Sequence, residues 1–284
     1  MKKTFRLLSI VLFSMGLAQA GAVYFDDQNG DLFEGDPTTA TYSYVGTSSR
    51  AAIFGGFTDI AFTPSGNLYG LDPSGLLYQI SPTSGHIMND GGTNNSIGST
   101  GAGSLQGLGS NSAGILFAGG SNTLYTINPT VGPTATAVGT NTGTSYSVEG
   151  DLVFVGGNLY LTSTGDNGSD FFSVNPSTGA ATLITSLAGV TQVTGLAYDS
   201  NNATLYGYEA TGQQFQINPN TGAVSNIVKV TTSGGEDPIS STNEILGAAF
   251  DSATPEPGSG WLLCAAAIIS LVFLAGRRSS QRAS

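Results

Sequence analysis

Residues 215–223 read Phe-Gln-Ile-Asn-Pro-Asn-Thr-Gly-Ala, and residues 172–180 repeat the pattern as Phe-Ser-Val-Asn-Pro-Ser-Thr-Gly-Ala. Three looser copies begin at Phe33, Tyr78 and Tyr125. In each copy an extended apolar run leads into a turn. Asn or Asp before Pro favours the first corner of a type I turn, because proline presets φ at the next position. Gly179 and Gly222 then supply the positive φ that ends such a turn in a hairpin.

The turn prolines set the period of the repeat. They stand at positions 37, 82, 129, 176 and 219, with spacings of 45, 47, 47 and 43 residues. Each repeat holds short runs of β-branched and aromatic residues cut by Gly, Asn and Pro, which predicts antiparallel strands. Four such strands per repeat at this period are typical of a β-propeller blade. The sequence therefore predicts an all-β propeller of five four-stranded blades over residues 21–253.

The two ends of the repeat array predict how the ring closes. Residues 22–25 match the second strand of a blade, so the first copy lacks its first strand. Residues 245–251 match a first strand and have no blade after them. We expect this last strand to complete the first blade and latch the ring. The Gly-, Ser-, Thr- and Asn-rich stretches 91–103 and 233–243 are interpreted as long loops between repeats.

Charge excludes one class of partner. The repeat region carries 18 acidic residues against Arg50 and Lys229, a net charge of −16. So acidic a surface disfavours binding to nucleic acid or to anionic membrane. The repeat region contains no cysteine, so its stability must come from packing between blades rather than from disulfides.

Both termini predict export. Residues 1–20 combine a basic start, an apolar run and the small-residue site Ala18-Gln19-Ala20, the pattern of a cleaved secretory signal peptide. In the tail, residues 254–284, a Pro/Gly linker precedes the apolar stretch 261–275 and then Arg277 and Arg278. At about 1.5 Å per residue this stretch extends for about 22 Å, so it spans a bilayer only as a short transmembrane helix. The arginines predict a cytoplasmic C-terminus.

The order Pro255-Glu256-Pro257, short apolar helix, Arg277-Arg278 resembles the PEP-CTERM sorting signal. The resemblance covers about 30 residues, and Cys264 within the helix is unusual for the pattern. It implies sorting by exosortase, a membrane protease of exopolysaccharide-producing Gram-negative bacteria, after signal peptidase has acted. The membrane-anchored intermediate would then be released to the cell surface or extracellular matrix. The alternative is an anchor that is never processed.

The repeats themselves resemble secreted propellers with Asx-Pro-x-Thr-Gly turns, which include binding, structural and enzymatic proteins. Fold therefore does not give function here. The single histidine, His86, directly follows a turn and is expected at the surface. No nucleophile, phosphate-loop or zinc-protease motif is present in the sequence.

Two carboxylates are the remaining candidates for chemistry. Aligning the first strands places Asp59 and Asp151 at one repeat position, where the other blades carry glycine. In one interpretation they face the central channel and hold a cation or act as an acid/base pair. In the other, which we favour, they cap strand ends in solvent.

Two acidic turns contain candidate calcium ligands. Asp27, Asn29 and Asp31 lie in the first turn, and Asp166 and Asp170 lie in the second. Their oxygen side chains suit Ca²⁺, but both segments also suit plain hairpin turns. The sequence assigns no catalytic residue and requires no cofactor.

The function expected from these observations is an exported surface or matrix module that binds or supports other components, with exopolysaccharide as a candidate partner. Two alternatives stay open. One is a secreted hydrolase or lyase that uses the channel carboxylates, and the other is an unprocessed, membrane-anchored periplasmic protein.

Overall fold

The computed structural model describes residues 21–48, 56–88, 96–140, 143–165, 168–235 and 239–251. The predicted signal peptide with Ala18 and Ala20, the tail with Pro255, Glu256, Pro257, Arg277 and Arg278, and the candidate ligand Asp166 lie outside these residues. Over the described ranges every regular element is a β-strand, and no helix is long and apolar enough to cross a membrane.

The strands form five sheets that are the blades of a propeller ring. From the axis outward, blade 1 has β21 (Ile245–Phe250), β1 (Val23–Asp27), β2 (Asp31–Asp36) and β3 (Thr41–Thr47). Blade 2 has β4 (Asp59–Phe62), β5 (Leu68–Leu71), β6 (Leu76–Ile80) and β7 (Gly98–Ser99). Blade 3 has β8 (Gly107–Ser110), β9 (Leu116–Gly120), β10 (Thr123–Asn128) and β11 (Gly132–Thr140). Blade 4 has β12 (Val148–Val155), β13 (Asn158–Gly165), β14 (Gly168–Val174) and β15 (Ala181–Ser186). Blade 5 has β16 (Val193–Asp199), β17 (Thr204–Glu209), β18 (Gln213–Ile217) and β19 (Val224–Lys229).

The last strand closes the ring, as the sequence predicts. β21 pairs antiparallel with β1, and the innermost strands β21, β4, β8, β12 and β16 contact one another in that circular order. The chain therefore leaves no gap between its first and last blades. Because β21 and β1 come from opposite ends of the repeat region, separating the first and fifth blades requires breaking a strand ladder.

Two short strands touch the predicted loops: residues 98–99 lie within 91–103, whereas residues 231–233 overlap 233–243 only at Ser233. Gly98 and Ser99 form β7, which completes blade 2. Residues Thr231–Ser233 form β20, which pairs parallel with β3 and adds a fifth strand to the outside of blade 1. Their Gly-, Ser- and Thr-rich composition hides these short edge strands, because backbone pairing rather than side-chain packing holds them.

The repeated turns have the predicted geometry. Asn175 Oδ1 accepts the N–H of Ser177 at 2.8 Å, and Asn218 Oδ1 accepts the N–H of Asn220 at 2.9 Å. Gly179 and Gly222 then adopt φ of 72° and 68°. A side chain is strained in that left-handed region, so glycine ends each turn before the outer strand begins.

Packing between blades forms the core. Where blade 5 meets blade 1, the rings of Phe25 and Tyr42 contact Tyr208. The hydroxyls of Tyr42 and Tyr208 lie 2.7 Å apart, and the Tyr42 hydroxyl donates to Gln214 Oε1 at 2.6 Å. Each fully buried aromatic side chain contributes about 1.5–3 kcal/mol. The hydrogen-bonded tyrosines thus reinforce the junction that β21 closes.

Candidate functional site: a carboxyl hub beneath an axial cavity

The aligned position that holds Asp59 and Asp151 lies at the centre of the ring. Both side chains are 0% exposed, which corrects the favoured expectation that they cap strand ends in solvent. The inner strands pack so closely there that the position is covered by the neighbouring blades. The structure also brings the two carboxyl groups together, and they interact through a side-chain hydrogen bond.

The two carboxyl groups receive backbone N–H groups from all five blades. Asp59 accepts from Ile60 at 2.7 Å and from Leu108 of the next blade. Asp151 accepts from its own neighbour Leu152, from Leu196 of the next blade and from Ala248 of the closing strand. The inner edge of a propeller blade has no further strand to take its N–H groups. We call this arrangement of Asp59, Asp151 and five N–H groups the carboxyl hub.

Glycine at the other three aligned positions makes room for the hub. A Cβ on Gly247 would lie 2.2 Å from Asp59 Oδ1, and a Cβ on Gly107 would lie 2.3 Å from Leu152 Cδ1. At Gly195 the nearest atom would be Ala248 Cβ at 2.8 Å. These distances are shorter than ordinary van der Waals contacts, so the axis has space for two side chains in this layer and not for five.

Burial raises the carboxyl pKa values at the centre. The pKa of Asp59 is well above its ordinary value, first because of desolvation and then because of the neighbouring Asp151 carboxyl. Desolvation also raises the pKa of Asp151, and its hydrogen bonds to Asp59 and to backbone N–H groups oppose that rise. Two like charges are unfavourable in so dry a site, so both shifts disfavour a pair of ionised carboxylates.

A third buried carboxylic acid, Asp26, lies nearby on β1. It is 2% exposed, and its Oδ2 accepts the N–H of Phe57 at 3.1 Å. Its Oδ1 has no hydrogen-bond partner among the described residues. Desolvation, with smaller contributions from Asp27 and Asp151, raises its pKa well above the ordinary value. Sequence reasoning considered Asp26 only as part of the acidic stretch 26–31 and gave it no buried position near the axis, since its strand position gives no sign that an adjacent blade covers it.

An axial cavity of about 900 Å³ opens on the side of the hub toward the C-terminal ends of the inner strands. Its deepest layer is formed by the residues that follow the aligned position, which are Ile60, Leu108, Leu152, Leu196 and Ala248. Asp59 and Asp151 lie one residue behind that layer and do not line the cavity. The hub is therefore sealed from any ligand that enters the cavity.

Aromatic side chains surround the cavity two residues further along the same strands. Four blades contribute an aromatic residue there and blade 3 contributes a serine: Phe62, Ser110, Phe154, Tyr198 and Phe250. Phe154 and Tyr198 are half-buried, whereas Phe62 and Phe250 are buried between blades. Phe117 packs edge-on against Phe154 with centroids 5.1 Å apart. We call the four aromatic residues the aromatic collar. The repeat alignment shows aromatic residues at this one position, but a search for reactive residue types does not select them.

The carboxylates of the candidate calcium ligands Asp27, Asp31 and Asp170 accept hydrogen bonds within the fold. Asp27 Oδ1 accepts the N–H groups of Asn29 and Asp31 at 3.0 and 2.9 Å, and Asn243 donates to Asp27 Oδ2 at 2.9 Å. Asp170 accepts the hydroxyl of Ser186. Within the described part of the chain, no group of three or more acidic, histidine or cysteine side chains has an arrangement that could hold a metal ion.

His86 is exposed beside the blade 2 turn, as expected, and lies outside the cavity lining. The arrangement as a whole offers an uncharged, aromatic concave surface. The chemically reactive groups of the ring are buried beneath it in hydrogen bonds to the backbone.

No protein-family model and no curated protein matches the chain. Among solved structures, a chain of a nidogen/laminin complex is similar at 14% identity, with 82% of this chain and 99% of that chain covered and a TM-score of 0.54. This similarity supports the propeller fold and nothing finer.

Two further structures are similar at TM-scores under 0.5. One, from work on the de novo evolutionary emergence of a symmetrical protein, has 21% identity, 76% and 94% coverage and a TM-score of 0.47. The other, a gluconolactonase from Xanthomonas campestris, has 14% identity, 60% and 61% coverage and a TM-score of 0.39.

Proposed function

We propose that this chain is an exported propeller that binds a ligand in its axial cavity, as a module of the cell surface or extracellular matrix. The observation that carries the binding role is the aromatic collar. It forms a concave surface of the size and apolar character typical of ligand sites. The rigid ring holds the collar in place before a ligand arrives, so little ordering cost is added on binding.

The hydrolase or lyase alternative requires carboxyl groups that reach a substrate. Asp59 and Asp151 are buried, are hydrogen-bonded to backbone N–H groups and do not line the cavity. A general acid or base must come within hydrogen-bonding reach of the reacting atom. The geometry therefore favours binding over a mechanism that uses these two residues.

Export and sorting belong to the same proposal and rest on the sequence of the two ends. Signal peptidase would cleave after Ala20, and exosortase would act near Pro255-Glu256-Pro257. Exopolysaccharide of the producing cell is the candidate partner at the destination.

Intact-mass measurement of the protein from each cell fraction tests the sorting. A surface or medium species that lacks residues 1–20 and everything beyond about Pro255 is expected. A species that retains residues 261–284 in the inner membrane would instead support the unprocessed anchor. Cosedimentation of the purified chain with isolated surface matrix tests the binding role, and the absence of any cosedimentation would refute that role.

A further inference from the structure

The cavity differs from the rest of the repeat region in its charge. None of the residues that line it is acidic or basic, although the region as a whole carries a net charge of −16. A charged ligand group would lose its hydration in the cavity and find no opposite charge to replace it. The acidic field of the ring also repels anions. The cavity therefore suits an uncharged ligand.

Polar groups accompany the aromatic collar on part of the cavity wall. Ser110, Asn111 and Ser112 follow one another in blade 3, and Ser200 lies beyond the collar residue Tyr198 in blade 5. Serine, asparagine and tyrosine side chains both donate and accept hydrogen bonds without carrying charge. Ser110 Oγ already donates to the Asn111 carbonyl at 3.2 Å, and Asn111 Oδ1 accepts the N–H groups of Ala113 and Ile115 at 3.0 Å. The amide N–H groups of Asn111 and the hydroxyls of Ser112 and Ser200 are the groups that a ligand would have to satisfy. An apolar ligand such as an acyl chain would exclude water from these groups without replacing its hydrogen bonds, at a cost for each group.

A sugar ring matches both parts of this surface. Its C–H faces are apolar and pack flat on aromatic rings, while the hydroxyls at its edge both donate and accept hydrogen bonds. Tyrosine and phenylalanine provide large rigid contact areas of this kind. A cavity of about 900 Å³ lies within the range of about 300–1,000 Å³ that small-ligand sites occupy.

We infer that the axial cavity binds an uncharged glycan, with sugar rings against the aromatic collar and hydroxyls directed to Asn111, Ser112 and Ser200. This inference rests on the proposed binding function and names its ligand class. It distinguishes the protein from modules that capture anionic polysaccharide through basic side chains.

An array that carries neutral glycans beside glycans bearing uronic acid or phosphate tests the ligand class, with the full chain as the probe. Binding to neutral glycans is expected. Titration calorimetry with the best neutral oligosaccharide should then show at least a tenfold weaker Kd for Tyr198→Ala. Tyr44→Ala is the matched control, because Tyr44 is a partly exposed tyrosine on β3 outside the cavity. It should leave the Kd unchanged.

A second variant separates loss of glycan binding from loss of folding, in case Tyr198→Ala fails to fold. Ser200 is exposed, so Ser200→Trp leaves the packing of the ring intact while its indole occupies space at the cavity wall. Loss of glycan binding with an unchanged Tm is expected for this variant. Undiminished binding in both Ser200→Trp and Tyr198→Ala would mean that the glycan binds at another surface, and it would overturn the inference.

The remaining outcomes separate the inference from the proposed function. Preference for uronate- or phosphate-bearing glycans, or an array with no bound glycan, overturns the ligand class. If the chain still cosediments with isolated matrix, the binding function survives with another ligand. If that cosedimentation also fails, both are refuted.

Discussion

The carboxyl hub and the aromatic collar are neighbouring layers of the same five inner strands, yet they have opposite properties. The hub holds reactive acid groups that are sealed from solvent and hydrogen-bonded to backbone from every blade. The collar holds chemically inert rings that border an open cavity. Position along a propeller strand, rather than residue reactivity, therefore decides which side chains border the cavity.

The hub pairs with backbone N–H groups that closure of the ring would otherwise leave buried without partners. Each innermost strand has one edge without a partner strand, and its N–H groups are buried where the blades converge. Leaving one such group unpaired costs about 1–3 kcal/mol. Two carboxyl groups pair with five of them, so the polar centre contributes to closure although burying the acids is itself unfavourable.

The largest effect should come from removing the hub residue with more partners. Asp151→Ala leaves the N–H groups of Leu152, Leu196 and Ala248 unpaired, so we expect a loss on the order of 3 kcal/mol or more in the free energy of unfolding. Asp59→Ala leaves two unpaired and should cost less. Urea unfolding of both variants measures the difference. Equal or negligible losses would contradict the distribution of contacts described for the hub.

The glycines around the hub should tolerate no side chain. Gly247→Ala places a Cβ 2.2 Å from Asp59 Oδ1, and we expect a loss of about 1–3 kcal/mol from overpacking. Gly103→Ala is the matched control, because nothing lies within 4 Å of its Cβ position. Thermal unfolding should show a lower Tm for the first variant alone. A similar Tm for both would mean that the axis has more space than the hub allows.

The buried acids of the hub and of β1 should also make stability depend on pH in a direction opposite to that of an ion-paired carboxylate. Burial raises the pKa values of Asp26, Asp59 and Asp151, and raises that of Asp27 to about 6. The folded chain therefore binds more protons than the unfolded chain above a pH of about 4, and its stability falls as pH rises from there toward the folded pKa values.

Urea unfolding at pH 5 and pH 8 measures this dependence. The free energy of unfolding should be larger at pH 5. Asp59→Asn keeps an uncharged side chain at the hub and should reduce the difference between the two pH values. An Asp59→Asn protein with the same pH dependence as the unsubstituted chain would rule out a raised pKa at Asp59.

The smallest stability effect should come from the collar. Tyr198 is half-buried beside the cavity, so Tyr198→Ala should cost about 1 kcal/mol, well below the hub variants. Differential scanning calorimetry beside Asp151→Ala makes the comparison. A larger loss for Tyr198→Ala would assign the collar a structural role and weaken its assignment as a binding surface.

Much of the architecture could be predicted from local pattern. The Asn175 and Asn218 turns act through contacts within a few residues, so their sequence carries the geometry. The match between residues 245–251 and other first strands predicted the latch, because a repeat reveals what is missing from its first copy. β7 and β20 could not be predicted this way, since their pairing depends on where the chain places an edge strand.

The amino-acid sequence alone specifies the blade, its period, the number of repeats and the identity of the closing strand, because each of these depends on local turn chemistry and repetition. It also singled out Asp59 and Asp151 as members of one repeat position. The assembled ring was needed to show that these acids meet at the axis, accept backbone N–H groups from all five blades and lie behind the cavity. The physical reason is that burial and ligand access depend on how five blades converge, and no single repeat contains that information.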